Sequence, residues 1–323
     1  MSENPLTTWP VLTTRGTPEA AALRGVLELA SSAAEADGNP PLSEQTLVEL
    51  RSASADPDLL RVYLALTHDD GSDPATAQEL AGVAVLTAQA GDPAGVLELV
   101  VHPNYRNKGV GSSLASAVRQ DTGREFKAWS HGNHEAAVKL AARFGYRPVR
   151  ELWRMRLSHD ALADGLPTAK LPEGVLLRPF VPGQDEDAWL AANAAAFAHH
   201  PEQGAMTRAD LEARMAEDWF DPSGFLLAVR ESDGELLGFH WTKVHPRTGN
   251  HPAIGEVYVV GVTPQAQGSG LGKALTLAGI NHLHESGLDA VMLYVDADNT
   301  PAVALYRKLG FVQWDVDVMY AAE

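Results

Sequence analysis

Two stretches, LVVHPNYRNKGVGSSLASAV at 99–118 and VVGVTPQAQGSGLGKALTLAG at 259–279, carry the same loop in the same setting. Each follows an apolar strand and leads into a helical pattern. Superposed on Pro103 and Pro264, they align Arg106, Gly109 and Gly111 with Gln267, Gly270 and Gly272, in the frame Arg/Gln-x-x-Gly-x-Gly. A second matching pair follows in the same order: HEAAVKLAARFGY at 134–146 and NTPAVALYRKLGF at 299–311. Two pairs in one order indicate duplication of a whole unit.

A strand that breaks into glycines and then starts a helix presents several backbone N–H groups at the positive end of the helix dipole, which is a pyrophosphate cradle. Glycines without a Cβ let a phosphate approach the backbone. The plainer alternative is a pair of ordinary tight strand-to-helix turns. Triphosphate hydrolysis is disfavoured, because Gly272-Lys273-Ala274 lacks the magnesium-binding hydroxyl and no lysine follows Gly109-Val110-Gly111. A dinucleotide fingerprint also fits badly, for want of an acidic ribose partner in a second βα unit.

Composition narrows the chemistry further. With 323 residues and 45% hydrophobic content, the chain supports two cores of ordinary domain size. It has no cysteine, which excludes disulfides, thiolate metal sites and a cysteine nucleophile. A formal charge of −17 repels nucleic acid and suits a cationic or neutral polar substrate, although acidic surfaces also serve solubility alone. No window carries the apolar run of a membrane span and MSENPLTTWP lacks the features of a signal peptide, so a cytoplasmic monomer is expected.

The patterning predicts two α/β units, each a mixed central sheet flanked by helices. The first spans 1–158, with strands at 61–67, 80–88, 96–102 and 149–157 and helices at 18–30, 43–53, 111–121 and 134–144. Residues 159–173, poor in periodicity and rich in turn formers, read as a linker. The second, 174–323, repeats the order, with helices at 184–198, 207–218 and 300–309 and strands at 225–230, 236–244, 256–262, 290–296 and 312–320. His199, His200, His240, His245 and His251 lack a fixed zinc spacing and read as loop and pocket residues; no metal is expected.

The paired motifs, the [Arg/Gln]-loop frame followed by Asn299-x-x-Ala302-x-x-Leu305-Tyr306-x-x-x-Gly310-Phe311, resemble the GCN5-related N-acetyltransferase (GNAT) fold in tandem over essentially the whole chain. The stretches GFHWTKVHP, GEVYVVGVTP, LYVDADNTPAVALYRKLGF and AAFAHHPEQG resemble a branch of that family. Its members transfer acetyl from acetyl-CoA to the cysteinyl amine of cysteinyl-glucosaminyl-inositol, an aminoglycoside-like thiol precursor. The resemblance implies that Val260, Gly261 and Val262 hold pantetheine and thioester. It also implies that Gln267, Gly268, Ser269, Gly270, Leu271, Gly272 and Lys273 hold the pyrophosphate, with Asn299 and Ala302 beside them. In the first half the matching set is Leu99, Val100, Val101, Arg106, Gly109 and Gly111.

It further implies that Glu256 is the base that frees the amine and Tyr306 the acid that protonates the leaving thiolate, a transfer between groups of similar acidity. Read without it, Glu256 is a strand-edge carboxylate and Tyr306 is helix packing. Ala141 aligns with Tyr306 and Gly95 with Glu256, so the first half is expected to be a degenerate copy. His134 stands where the second half has Asn299, and for the first loop both acetyl-CoA binding and a purely structural role stand open. Glu44, Glu202, Lys243, Glu256 and Tyr294 match acceptor-binding positions of that branch, while Glu44 next to Ser43 also reads as a helix cap residue. The rival functions are acetylation of another small amine, such as an aminoglycoside, and a silent acyl-CoA sensor.

Overall fold

The computed structural model describes residues 9–52, 58–67, 79–88, 95–122, 125–158, 166–198, 201–247 and 252–322, with backbone alone for 201 and 202. His199, His200, His251 and the side chain of Glu202 lie outside the described residues. The chain forms two compact units, one of residues 1–152 with 316–323 and one of residues 153–315. The last residues, placed with the second half on the sequence alone, therefore group with the first.

Unit 1 runs β1 (Val11–Arg15), α1 (Ala20–Asp37), α2 (Glu44–Arg51), β2 (Leu60–Leu66), β3 (Leu80–Thr87), β4 (Gly95–Val101), α3 (Val110–Asp121), β5 (Phe126–Ser130), α4 (Glu135–Arg143) and β6 (Tyr146–Leu157), of which 146–152 belong here. Its sheet order is β1-β2-β3-β4-β5, then the end of β12 (Val312–Ala322). All neighbours are antiparallel except β4 with β5. The nearly continuous apolar run LRVYLAL of β2 reflects burial on both faces. One face packs under α1 and α2 through Val26, Leu29, Leu50 and Val62; the other packs under α3 through Tyr63, Leu97, Leu114 and Val118. Helix α1 continues seven residues beyond the expected 30 and stops at Gly38, whose φ of +75° supplies the left-handed cap.

Unit 1 holds the end of β12 by charge as well as by the ladder Val318↔Ser130 to Ala321↔Lys127. His131 Nε2 lies 2.7 Å from Glu98 Oε1 and His131 Nδ1 lies 2.9 Å from Asp317 Oδ2. Asp317 also accepts from the Gly132 N–H, and Glu98 from the Ser43 N–H. Both carboxylates are buried, Glu98 to 1% exposure and Asp317 to 3%. Burial would neutralise His131, but the two carboxylates outweigh it and raise its pKa to about 10. Burial likewise opposes ionisation of Glu98, and bonds from His131, Thr46 and Ser43 outweigh it and lower its pKa.

Unit 2 takes 153–157 of β6, then β7 (Val175–Pro179), α5 (Glu186–Ala196), α6 (Pro201–Gly204), α7 (Arg208–Met215), β8 (Phe225–Arg230), β9 (Leu236–His245), β10 (Ile254–Val262), α8 (Leu271–Glu285), β11 (Val291–Asp296), α9 (Thr300–Lys308) and the start of β12. The order β6-β11-β10-β9-β8-β7 is parallel at β10 and β11 and antiparallel from β10 through β9 and β8 to β7. An aromatic cluster fills one face, with Phe225 stacked between Phe180 and Trp241 at centroid distances of 4.4 Å and Trp189 edge-on to Phe225. On the other face α8 and α9 pack through Leu277, Ile280, Leu283, Val303 and Leu309 against Val257 and Leu293.

Strand β9 carries two corrections to the histidine reading. His240, expected in a loop or pocket, is fully buried mid-strand and donates Nδ1–H to the Leu275 carbonyl at 2.7 Å. Burial without a counter-charge lowers its pKa to about 4. Gly279 makes room for the ring, since a Cβ there would lie 2.0 Å from it. His245, also expected in a loop or pocket, is the last residue of β9 and reaches Glu256 from there.

Candidate functional site

Strand pairing opens a gap at the centre of unit 2. Strand β10 pairs with β11 only from Gly255↔Val291 to Val257↔Leu293, although β10 continues to Val262. On its other side the register against β9 shifts between Val257 and Val259, so Tyr258 is an extra residue that bends the strand. Beyond that point the edge of β10 facing β11 has no ladder, and its backbone groups are left for another partner.

Register also distributes the side chains. Glu256 pairs with Lys243 on β9 and with Met292 on β11, and Tyr294 follows Met292 by two residues, so Glu256, Lys243, Met292 and Tyr294 share one face. Glu256 is 5% exposed, and its Oε2 lies 2.6 Å from His245 Nε2. Lys243 sits over Trp219 at 4.4 Å and over Tyr258 at 5.2 Å, and Arg214 donates Nε–H to Tyr258 Oη at 3.0 Å. Tyr306, on α9, packs half-buried against the cluster on the other face and lies 5.8 Å from Phe311. Burial raises its pKa to about 12, and no hydrogen bond of its hydroxyl occurs among the described residues.

The loop after β10 turns left-handed at Gly268 (φ +79°) and Gly270 (φ +84°), and α8 starts at Leu271. A side chain at either position would cost about 1–2 kcal/mol. No side-chain cap closes this helix start; the nearest approach is Ser269 Oγ, 3.4 Å from the Leu271 nitrogen. A Cβ at Gly272 would meet Val262 at an ordinary 3.6 Å, so nothing in the protein itself requires glycine there. Lys273 lies in the first turn of α8. Asn299 caps α9, its Oδ1 accepting from the Ala302 N–H at 3.3 Å.

The matching loop of unit 1 is tied down by its own protein. Gly109 (φ +88°) precedes α3, again with no side-chain cap, and a Cβ at Gly111 would meet Leu140 and Val101 at 3.7 Å. Arg106 makes a bidentate pair with Asp37 at 2.7 and 2.8 Å, whereas the side chain of its counterpart Gln267 donates, among the described residues, to the Val262 carbonyl alone. Trp9 donates Nε1–H to the Lys108 carbonyl and its backbone N–H to Ser113 Oγ. Strand β4 leaves β5 after Glu98↔Trp129, so Leu99, Val100 and Val101 also run without that ladder. It has no bulge against β3. The bulge in β10 shifts the alignment by one, and the counterpart of Glu256 is Val96 and not Gly95. Neither is a carboxylate.

Of the acceptor candidates, Lys243, Glu256 and Tyr294 come together in unit 2, and Glu44 is the first residue of α2 in unit 1, behind the Ser43 cap. Sequence reasoning placed His245 only as a loop and pocket residue, without its tie to Glu256, and missed Arg214, Trp219 and Tyr258. No group of three or more metal-binding side chains occurs among the described residues, and no described helix is long and apolar enough to cross a membrane.

Known proteins share this arrangement. The family described as Acetyltransferase (GNAT) family matches residues 190–311, and the Acetyltransferase (GNAT) domain matches 62–148. A mycothiol acetyltransferase of Paenarthrobacter aurescens is 66% identical over 97% of this chain and 96% of its own length. The chain belongs to the mycothiol acetyltransferase family. It is thus an N-acetyltransferase of two tandem GNAT domains. Further members of this family include those of Renibacterium salmoninarum, 55% identical over 98% of this chain and 91% of the other, and of Streptomyces coelicolor, 50% identical over 92% and 91%. A GCN5-related N-acetyltransferase from Sphaerobacter thermophilus superposes with a TM-score of 0.67 at 26% identity, covering 98% of this chain and 97% of the other. A tandem GNAT protein from the clavulanic acid biosynthesis pathway shares the fold, with a TM-score of 0.70 at 22% identity over 97% and 98%.

Proposed function

We propose that unit 2 transfers the acetyl group of acetyl-CoA to the cysteinyl amine of cysteinyl-glucosaminyl-inositol, and that unit 1 is a copy without the acid and base. The observation that carries this is the parting of β10 from β11 after Val257, the residue next to Glu256, with Tyr306 on the opposite side of the sheet. A thioester lying in the gap meets the carboxylate from one face and the phenol from the other.

Residues Val260, Gly261 and Val262 offer their unladdered backbone to the pantetheine arm and to the thioester oxygen, where an N–H stabilises the oxyanion. The N–H groups from Gly268 to Lys273, of which that of Leu271 lies 3.4 Å from Ser269 Oγ, take the pyrophosphate at the start of α8. Glu256 removes a proton from the substrate ammonium, directly or through water, and the freed amine attacks the thioester carbonyl. As the C–S bond breaks, Tyr306 protonates the departing thiolate. The phenol is protonated at neutral pH already at its ordinary value near 10; burial pushes it up to about 12, a weaker acid than the match with the thiol expected from sequence, so the transfer waits for negative charge to build on sulfur. Holding amine and thioester together supplies much of the rate. Lys243 and Tyr294, beside Glu256 on the acceptor face, supply hydrogen bonds for a sugar and inositol, with Glu202 assigned to the same ligand.

In unit 1 the uncapped turn at Gly109, Gly111 and the unladdered Leu99, Val100 and Val101 repeat the backbone of the cradle, while Arg106 is taken up by Asp37, and this copy performs no turnover. On this reading the protein acts as a cytoplasmic monomer on small molecules. The test is acetyl transfer by the purified full chain, read by mass spectrometry, with acetyl-CoA and cysteinyl-glucosaminyl-inositol beside a panel of aminoglycosides. Product at the cysteinyl amine that falls sharply in Tyr306→Phe supports the reading. Turnover on aminoglycosides alone, or CoA binding with no product, sinks it.

A further inference from the structure

A buried carboxylate needs a partner, and Glu256 has one. Its Oε2 lies 2.6 Å from His245 Nε2, the one hydrogen bond to its side chain among the described residues. His245 ends β9 two positions past Lys243, and its side chain is about one-third exposed, against 7% for that of Glu256. The two residues sit diagonally across the β9–β10 ladder, where Ile254 faces His245 and Glu256 faces Lys243. The carboxylate is thus anchored from the strand end where β9 leaves the sheet.

We infer that His245 is a positioning residue for the acetyl transfer: it donates Nε2–H to Glu256 Oε2, fixes the plane of the carboxylate and leaves Oε1 to take the amine proton. This rests on the assignment of Glu256 as base. A carboxyl group turns through a broad, two-fold torsion, so an unanchored glutamate spreads its basic lone pairs over many directions. One short bond to a held donor removes that freedom. Lys243, opposite in the ladder, cannot do the same, because its ammonium is drawn over the Trp219 and Tyr258 rings. The remaining ionisable groups on these elements are His240 on β9, bonded to the Leu275 carbonyl, Tyr258 on β10, held by Arg214 from α7, and Tyr294 and Asp296 on β11.

Steady-state kinetics of the full chain with acetyl-CoA and cysteinyl-glucosaminyl-inositol test this in His245→Ala, His245→Gln and Glu256→Gln. His245→Ala should lower kcat roughly 10- to 100-fold, leave the KM for acetyl-CoA within about twofold, and displace the acidic limb of the pH profile of kcat. His245→Gln, whose amide can still donate to Oε2, should recover most of kcat. If His245→Ala keeps the wild-type kcat and pH profile while Glu256→Gln is inactive, the positioning role is overturned and the base survives. Equal losses in the Ala and Gln variants, accompanied by an equal fall in Tm, also overturn it in favour of packing. Full activity of Glu256→Gln removes the base, and this inference with it.

Discussion

The two units share one backbone plan and differ in what their buried histidines and helix side chains are asked to do. In unit 1, His131 is held charged between Glu98 and Asp317; in unit 2, His240 is held neutral by a single carbonyl. Both units have a left-handed glycine before an uncapped helix, at Gly109 and at Gly270. Only unit 2 combines the gap with a bulged strand, a carboxylate at its edge and a phenol behind it. Duplication therefore preserved the cradle, which depends on backbone, while the few side chains proposed for the chemistry stand in one copy.

The largest expected effect separates the copies by activity. Tyr306→Phe should lower kcat by about 10²- to 10⁴-fold, and Ala141→Tyr at the matching position of unit 1 should not restore it. Recovery of turnover in the double variant, measured as acetylated product, would break the assignment of chemistry to unit 2. His131→Leu addresses the other half. It leaves Glu98 and Asp317 buried without their cation, and unfolding in urea should show a loss of about 3–5 kcal/mol.

Acidity should act on the two units in separate windows. His131 has a folded pKa above its unfolded value, so its contribution is complete below about 6.5 and is lost as pH rises toward 10. For His240 the folded value is depressed, so stability is lost as pH falls from 6.5 toward about 4, by up to about 3 kcal/mol. Hydrogen exchange at pH 5 and pH 9 should therefore loosen β9 at the lower value and the end of β12 at the higher. The same segment loosening at both would contradict the contrast.

Smaller effects sharpen the comparison of loops and caps. Gly270→Val should raise the KM for acetyl-CoA and cost about 1–2 kcal/mol in a denaturant titration, through its positive φ. Asn299→Ala should cost about 1 kcal/mol for the lost bond to the Ala302 N–H. At the matching place His134 makes no side-chain cap, and His134→Asn should add a similar amount. An unchanged Tm in both cap variants would dissolve the difference between the two helix starts.

Much of the fold was legible because backbone demands leave marks in sequence. Glycine at a left-handed turn, Asn299 before a helix and the apolar runs of central strands each answer a local constraint, and the duplication displayed each one twice. Glu256 and Tyr306 were legible as candidates through their family motifs. His245 was not, because a histidine opening a polar loop looks the same whether or not a carboxylate lies diagonally across the ladder. The alignment of Glu256 with Gly95 missed by one for a related reason: the bulge at Tyr258 adds a residue without altering the apolar pattern around it.

By itself the sequence determined the two-unit plan, the cradle loops and the family, all set by short-range periodicity and local backbone geometry. Only the tertiary structure decided where β10 parts from β11, that the end of β12 groups with unit 1 through His131, and that His245 anchors Glu256. Those features depend on pairing between segments distant along the chain. Burial then makes each pairing energetically strong, through charges and backbone groups that have no water to turn to.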